Sequence, residues 1–262
     1  MLAGAAGHPS PQWDGHLLLL HRSEDERVTR LAAWVRRGLE LGEKVIYTEN
    51  TPPAHACAPD RLREHGIDVD KASAEGSFEL LPLDAFYPPR GQDAVIDRAL
   101  DEGYPAVRIS AQATAALGVL TPHAYRDIER QMDQLCRTRP VSALCQYAYS
   151  STYGPLLRDA IEPHVTGVRE PYFSTTGHGT DLALHGEIDI ANVDVLATTL
   201  AAALNAATAA GHDTVRIDLA GIGYLGAAAA RTVERGSERF RLAGGCLVLT
   251  GAPAITEHVL RI

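Results

Sequence analysis

The chain has 262 residues, 45% of them hydrophobic and 22% charged, with a formal net charge of −9. That is an ordinary globular composition, long enough for two domains. The acidic balance argues against a nucleic-acid partner, which needs a concentrated basic surface. The densest basic cluster (Arg27, Arg30, Arg36, Arg37) alternates with Glu24, Asp25 and Glu26 and reads as a solvated helix face. The four cysteines, Cys57, Cys136, Cys145 and Cys246, form no C-x-x-C pair. The early apolar run Leu17–Leu20 is too short for a signal segment or a membrane span. A cytoplasmic protein without membrane association is the expectation.

Residues 1–12 are small, contain Gly and Pro, and are expected to fray. His16-Leu-Leu-Leu-Leu20 reads as a buried parallel strand. Ser23-Glu-Asp-Glu26 is a capping box, opening a helix with Val28, Leu31, Val35 and Leu39 on one face that closes at Gly42. Lys44–Thr48 follows as a strand, completing a βαβ unit. The alternation continues with a helix near 59–66, a strand at 78–81, a loop at Tyr87-Pro-Pro-Arg90 and a helix over 92–103. A strand at 106–110, a helix over 122–137, a strand at 142–147 and a closing helix over 153–162 complete the first unit. This pattern predicts an α/β domain with a mostly parallel sheet.

From Arg169 the texture changes, and Ser174-Thr-Thr-Gly-His-Gly-Thr180 lacks apolar periodicity, so residues 169–180 read as a linker. A smaller α/β unit over 181–262 follows, with a strand at 182–184, a turn at Gly186–Asp189 and a helix carrying Val193, Leu196, Leu200 and Leu204. A strand at 214–219, a helix over 227–242, a strand at 246–250 and a short helix over 253–261 end the chain.

Three segments of this second unit carry a resemblance: Gly186-Glu-Ile-Asp-Ile190, the run Asp218–Ala230, and Leu242–Leu249 followed by Ala252-Pro. In this order they resemble the STAS domain (sulphate transporter and anti-sigma-factor antagonist), whose signature is D-L-S-G-V-x-x-[IL]-D-S-S-G-L. In many antagonists the first serine of D-S-S-G is phosphorylated by a partner kinase. Asp218 matches the first aspartate, but Gly226 stands at the second, and Ala227 and Ala228 replace both serines. The resemblance therefore implies an antagonist-like docking module without its phosphoacceptor, either fixed in its unphosphorylated docking form or retained as a scaffold. Its expected partners are an anti-sigma factor or serine kinase, or other STAS proteins.

In the first unit, His16–His21 through Gly38–Tyr47, together with Ala99–Ser110, Ala143-Leu-Cys-Gln-Tyr147 and His164, resembles the MEDS domain. This sensory family is named from methanogen and methylotroph regulators and is distantly similar to RecA-like ATPases. The resemblance spans about residues 13–168 and implies a RecA-like fold that senses a small molecule. Gln112, Ala115 and Ala148 replace a family acid, tryptophan and aspartate.

The loop His21-Arg-Ser-Glu-Asp-Glu-Arg27 has no glycine or lysine to hold a triphosphate, so no functional phosphate loop is expected. No H-x-x-x-H pair and no local Cys–His zinc spacing is found, so neither metal, cofactor nor catalytic residue is assigned. Cys145 reads as a buried, inert thiol. His16, Tyr47, Arg108, Gln112 and Tyr147 are the candidate ligand pocket, the last four expected at the C-terminal ends of parallel strands. His16 reads as a ligand contact or a structural histidine, and the rest as pocket or as polar strand edges. A non-enzymatic signalling regulator is the expected function; the rivals are an enzyme acting in the N-terminal cleft and a purely structural adaptor.

Overall fold

The computed structural model describes residues 14–49, 58–87, 91–118, 120–152 and 154–261. The expected frayed start, Cys57 and most of the Pro-Pro loop lie outside the described residues. In chain order the elements are β1 (His16–His21), α1 (Glu24–Glu40), β2 (Lys44–Glu49), α2 (Ala58–Glu64), α3 (Val69–Ala74), β3 (Phe78–Pro82) and α4 (Leu83–Phe86). There follow α5 (Gly91–Asp101), β4 (Val107–Gln112), α6 (Ala113–Leu117), α7 (Pro122–Thr138), β5 (Val141–Ala148) and α8 (Pro155–Ile161). The second half holds β6 (Val168–Arg169), β7 (Phe173–His178), β8 (Asp181–Ile188), α9 (Val193–Ala209), β9 (Thr214–Leu225), α10 (Ala227–Leu242), β10 (Cys246–Thr250) and α11 (Ala254–Leu260).

Among the described residues ten strands form one sheet, ordered β10-β9-β8-β7-β6-β1-β5-β4-β2-β3. It is mostly parallel, as the α/β alternation predicts. The antiparallel pairs are β6–β7 and β7–β8. Strands β1 and β2 belong to one strand–helix–strand unit but are separated in the sheet by β5 and β4. Helices α1, α2 and α3 cover one face, packing on Leu17, Leu19, Tyr47 and Leu144. On the other face α8, α9 and α10 share a continuous core with Leu18, Leu20 and Tyr147 of the first half and Leu184, Ile217 and Leu219 of the second.

The capping box forms with one change. Ser23 Oγ accepts the Glu26 amide at 3.2 Å, while Glu26 Oε2 accepts the amide of Arg22, one residue before the cap. Helix α1 closes at Gly42 in the left-handed region, φ 71°. Among the described residues no helix is long and apolar enough to cross a membrane.

The supposed linker is the main correction. Residues 173–178 form β7, paired in register with β8 from Phe173↔Gly186 to His178↔Asp181. Its signal is faint because only Phe173 and Thr175 turn into the core and the outer positions are polar. The expected turn at Gly186–Asp189 is likewise mostly strand, since β8 runs on to Ile188. Strand β9 also continues past the expected end, through Leu225. Register shifts against β8 displace its inward positions from Val215, Ile217 and Leu219 to Ile222 and Leu225, because each unmatched residue flips the alternation.

Gly186 sits at one of these shifts with φ 97°, and a Cβ there would fall onto the Tyr172 carbonyl oxygen of β7's approach. Gly186→Ala is expected to destabilise the fold by about 1–3 kcal/mol, the usual scale of local backbone strain. Urea unfolding followed by circular dichroism measures it.

Candidate functional site

The five predicted pocket residues do not converge on one pocket, because successive strand residues point to opposite faces of the sheet. Tyr47 and Gln112 lie on the α1 face. There the buried Arg27 donates to Tyr47 Oη at 3.2 Å and to Gln146 Oε1 at 2.7 Å. Gln112 Nε2 donates to Tyr47 Oη at 3.3 Å, and Gln146 Nε2 to Ser110 Oγ at 2.8 Å. This is a packed, hydrogen-bonded plug beneath α1.

Arg108 corrects the expectation further. It is the second residue of β4, at the strand's N-terminal end, and it is fully buried. Its guanidinium pairs with Glu43 through Nε and with Asp14 Oδ2 at 2.7 Å through Nη1, and lies 5.0 Å from the Trp34 ring. Its role is to hold the bottom edge of the sheet to the α1–β2 turn.

His16 and Tyr147 lie on the opposite face and are brought together by a residue the sequence reading passed over, Glu129 of α7. Glu129 Oε2 is 3.3 Å from His16 Nε2, and Tyr147 Oη donates to Glu129 Oε1 at 3.3 Å. Tyr147 Oη also lies 2.9 Å from Tyr125 Oη. Cys145 Sγ lies 3.5 Å from Glu129 Oε2 and 3.4 Å from His16 Nε2. His164, in the single turn of 3-10 helix after α8, brings its Nε2 to 3.5 Å from the same carboxylate oxygen.

His16, Glu129, Cys145 and His164 are all buried, and one ligand atom from each lies within 4.8 Å of every other. They come from a strand start, a helix, a mid-strand and a turn, so no local spacing announces them. The available signal was Glu129 itself: a carboxylate four residues after Tyr125 and three before Met132, on the buried stripe of α7.

Burial shifts these groups strongly. It pushes the Cys145 thiol and the Tyr147 and Tyr125 phenols well up, with the Glu129 charge adding to the effect. Burial and the adjacent His16 push His164 down to about 3. For Glu129 burial acts upward, but the hydrogen bond from His16 and the neighbouring imidazoles outweigh it and hold the carboxyl at about 2. Beside the cluster is a cavity of about 20 Å³ lined by Tyr87, Gln92, Tyr125, Glu129, Met132 and Cys145, room for about one water.

The phosphate-loop position is occupied by the protein itself. Arg22, between β1 and α1, donates to Glu170 Oε1 at 2.9 Å and to the Ala191 carbonyl at 3.0 Å. Its guanidinium lies 4.7 Å from the Tyr149 ring, whose hydroxyl donates to Asp194 at 2.6 Å. The loop thus ties the first half of the chain to the start of α9.

In the second half, Gly226 caps α10 with no side-chain acceptor, and its amide donates to the Ile188 carbonyl at 2.8 Å. Ala227 is exposed and Ala228 half-buried at the helix start. Asp218 stands apart on the exposed face of β9, where its Oδ1 accepts the Ala220 amide at 2.9 Å. Tyr224 and Ile190, 53% and 81% exposed, flank the helix start as apolar side chains in solvent.

Residues 15–165, more than half of the chain, match the family model of the MEDS domain, the methanogen/methylotroph, DcmR sensory domain. The chain belongs to the MEDS family. Residues 172–262 match the model described as Mlab, STAS domain, so a MEDS domain is fused to a STAS domain. No curated protein matches the chain. The buried cluster and Arg108 both belong to the MEDS domain, and Gly226–Ala228 to the STAS domain.

Replacing Arg108 by Met keeps its bulk but leaves the buried Glu43 carboxylate without its partner. Removing one member of a buried ion pair costs about 3–5 kcal/mol, and Arg108→Met is expected to fall in that range by urea unfolding. A loss no larger than that of a surface substitution would contradict the structural role.

Proposed function

We propose that this protein is a non-enzymatic cytoplasmic signalling regulator, in which the MEDS domain senses a small molecule and the STAS domain docks a partner without being phosphorylated. The observation that carries this reading is the start of α10. A helix N-terminus favours an anion, yet its first residues, Gly226, Ala227 and Ala228, supply neither a hydroxyl to phosphorylate nor a carboxylate beside it. What that surface does offer is exposed apolar area, Tyr224 and Ile190, around the open helix start. The partner is of the anti-sigma-factor or serine-kinase class, or another STAS protein.

Coupling between the domains is supported by two features. The sheet and its core run without a break from one domain to the other. Arg22 bridges the MEDS loop to Glu170 and to the turn before α9. The same loop speaks for a binding rather than an ATP-hydrolysing domain. Its amides at Arg22 and Glu26 are engaged by side chains, and three acids open α1 where phosphates would sit.

The test is capture of a serine-kinase-type anti-sigma factor from extracts of the source cells on immobilised wild type and Ala227→Asp. An aspartate in the first turn suits the helix dipole, so the variant is expected to melt at the wild-type temperature or slightly above. It is expected to bind the partner at least about tenfold more weakly, about 1.4 kcal/mol. Equal capture by both would remove the docking role of this surface, and nucleotide turnover by the purified protein would favour an enzyme.

A further inference from the structure

We propose that His16, Glu129, Cys145 and His164 form a buried binding site for a divalent transition metal of the zinc class, with one ligand atom from each residue. The inference stands on side-chain geometry within the MEDS domain and is independent of any docking by the STAS domain.

The spacing is that of a coordination shell. In a regular tetrahedron the ligand–ligand edge is about 1.63 times the metal–ligand bond, so zinc bonds of about 2.0–2.3 Å require edges of about 3.3–3.8 Å. The edges from Glu129 Oε2 to His16 Nε2, Cys145 Sγ and His164 Nε2 are 3.3, 3.5 and 3.5 Å. The edge from Cys145 Sγ to His16 Nε2 is 3.4 Å. The remaining two edges, from His164, fall within 4.8 Å.

The outer contacts orient the same four atoms. His164 Nδ1 lies 2.6 Å from the Ala160 carbonyl, which can only accept, so the ring proton sits there and Nε2 turns a lone pair into the cluster. That buried Nε2 has no hydrogen-bond partner, although it faces a carboxylate oxygen. Two electron-pair donors facing each other in a buried site call for a cation between them. His16 also turns Nε2 toward the cluster, where it hydrogen-bonds Glu129, while its buried Nδ1 has no hydrogen-bond partner and lies 4.0 Å from Asp133 Oδ1; ligation requires the ring proton on Nδ1. Glu129 Oε1 is held by Tyr147, leaving Oε2 for the cluster. The contact of His164 Nδ1 with the Ala160 carbonyl is the usual outer shell of a metal-ligating histidine.

Charge agrees with geometry. Two neutral imidazoles, one carboxylate and one thiolate carry two negative charges, which a divalent ion cancels, leaving a neutral unit suited to full burial. Binding forms the metal–sulfur bond and releases the Cys145 thiol proton to solvent. Mixed nitrogen, sulfur and oxygen donors favour zinc over magnesium or calcium, which take oxygen shells. The neighbouring cavity leaves space for a water or similarly small molecule beside the Glu129–Cys145 edge.

The test uses the full-length chain purified from zinc-supplemented cells. About one zinc per chain is expected by mass spectrometry of the elements. After exchange, cobalt(II) is expected to give tetrahedral visible bands and a thiolate-to-cobalt charge-transfer band. Cys145→Ser should lose the charge-transfer band, and Cys246→Ser, altering an exposed thiol, should keep it. Tyr147→Phe leaves all four ligands and should weaken zinc binding by about ten- to a hundredfold in chelator competition. If Cys145→Ser fails to fold, the wild-type metal content, the cobalt spectrum and Tyr147→Phe still decide. Folded wild type with under about a tenth of an equivalent of metal and no tetrahedral cobalt spectrum overturns the site. Persistence of the charge-transfer band in a folded Cys145→Ser does so as well.

Discussion

Strand β1 has a second edge to satisfy, and much of this molecule follows from how that edge is covered. On one side β1 pairs in parallel with β5 along its whole length. On the other, its backbone groups would face solvent or another chain without the two-residue β6 and the antiparallel β7. Thr175 fastens this junction, its hydroxyl accepting the Val168 amide at 3.0 Å and donating to the Val165 carbonyl at 2.7 Å. Two parallel α/β blocks thereby become one sheet with a shared core, where two units on a tether were the expectation. The segment leading into β6 also carries His164, so the same closure places one of the four buried donors.

The polar groups buried in the MEDS domain fall into sets with different physical logic. Under α1, Arg27 is matched by Glu24, Tyr47 and Gln146, and at the sheet's lower edge Arg108 is matched by Glu43 and Asp14. In these sets every strong donor meets an acceptor, as buried charge requires. The set under α7 is different. Its inward-facing atoms are potential ligand atoms drawn around one point, with the Cys145 thiol donating to Glu129, and burial makes protonating His164 or ionising Cys145 unfavourable. A satisfied salt-bridge network reads as structure, whereas a convergence of like-natured ligand atoms reads as a site prepared for something absent from the amino-acid chain. The two domains therefore contrast: buried ligand-type atoms converge under α7 of the MEDS domain, while the start of α10 in the STAS domain presents backbone, alanine and exposed apolar surface.

Most elements of the fold were legible in the residues. The run at Leu17–Leu20, the capping residues around Ser23, the stripe of α9 and the alanine-rich α10 each carry a local period or cap that physics reads within a few residues. Strand β7 was missed because a half-buried strand with threonine, glycine and histidine outward has little apolar signal. Short helices such as α3 and α6 escaped because one or two turns hold too few periods. Among the candidate site residues, Tyr47, Gln112 and Tyr147 were placed near strand ends, but Arg108 was put at the wrong end, and face was not assigned to any of them.

The sequence by itself determined the α/β class, the order of most helices and strands, the family motifs and the alanines at 227 and 228. Those are properties of contiguous residues, set by backbone propensity and side-chain period. Only the tertiary structure decided that the sheet is continuous, that Arg22 reaches Glu170, and that His16, Glu129, Cys145 and His164 meet. The reason is register. Which strands are neighbours and which face each residue presents depend on pairings between segments more than a hundred residues apart, such as His16 with Ala143. No local pattern encodes such pairings, and a one-residue slip would turn Cys145 away from His16 to the opposite face.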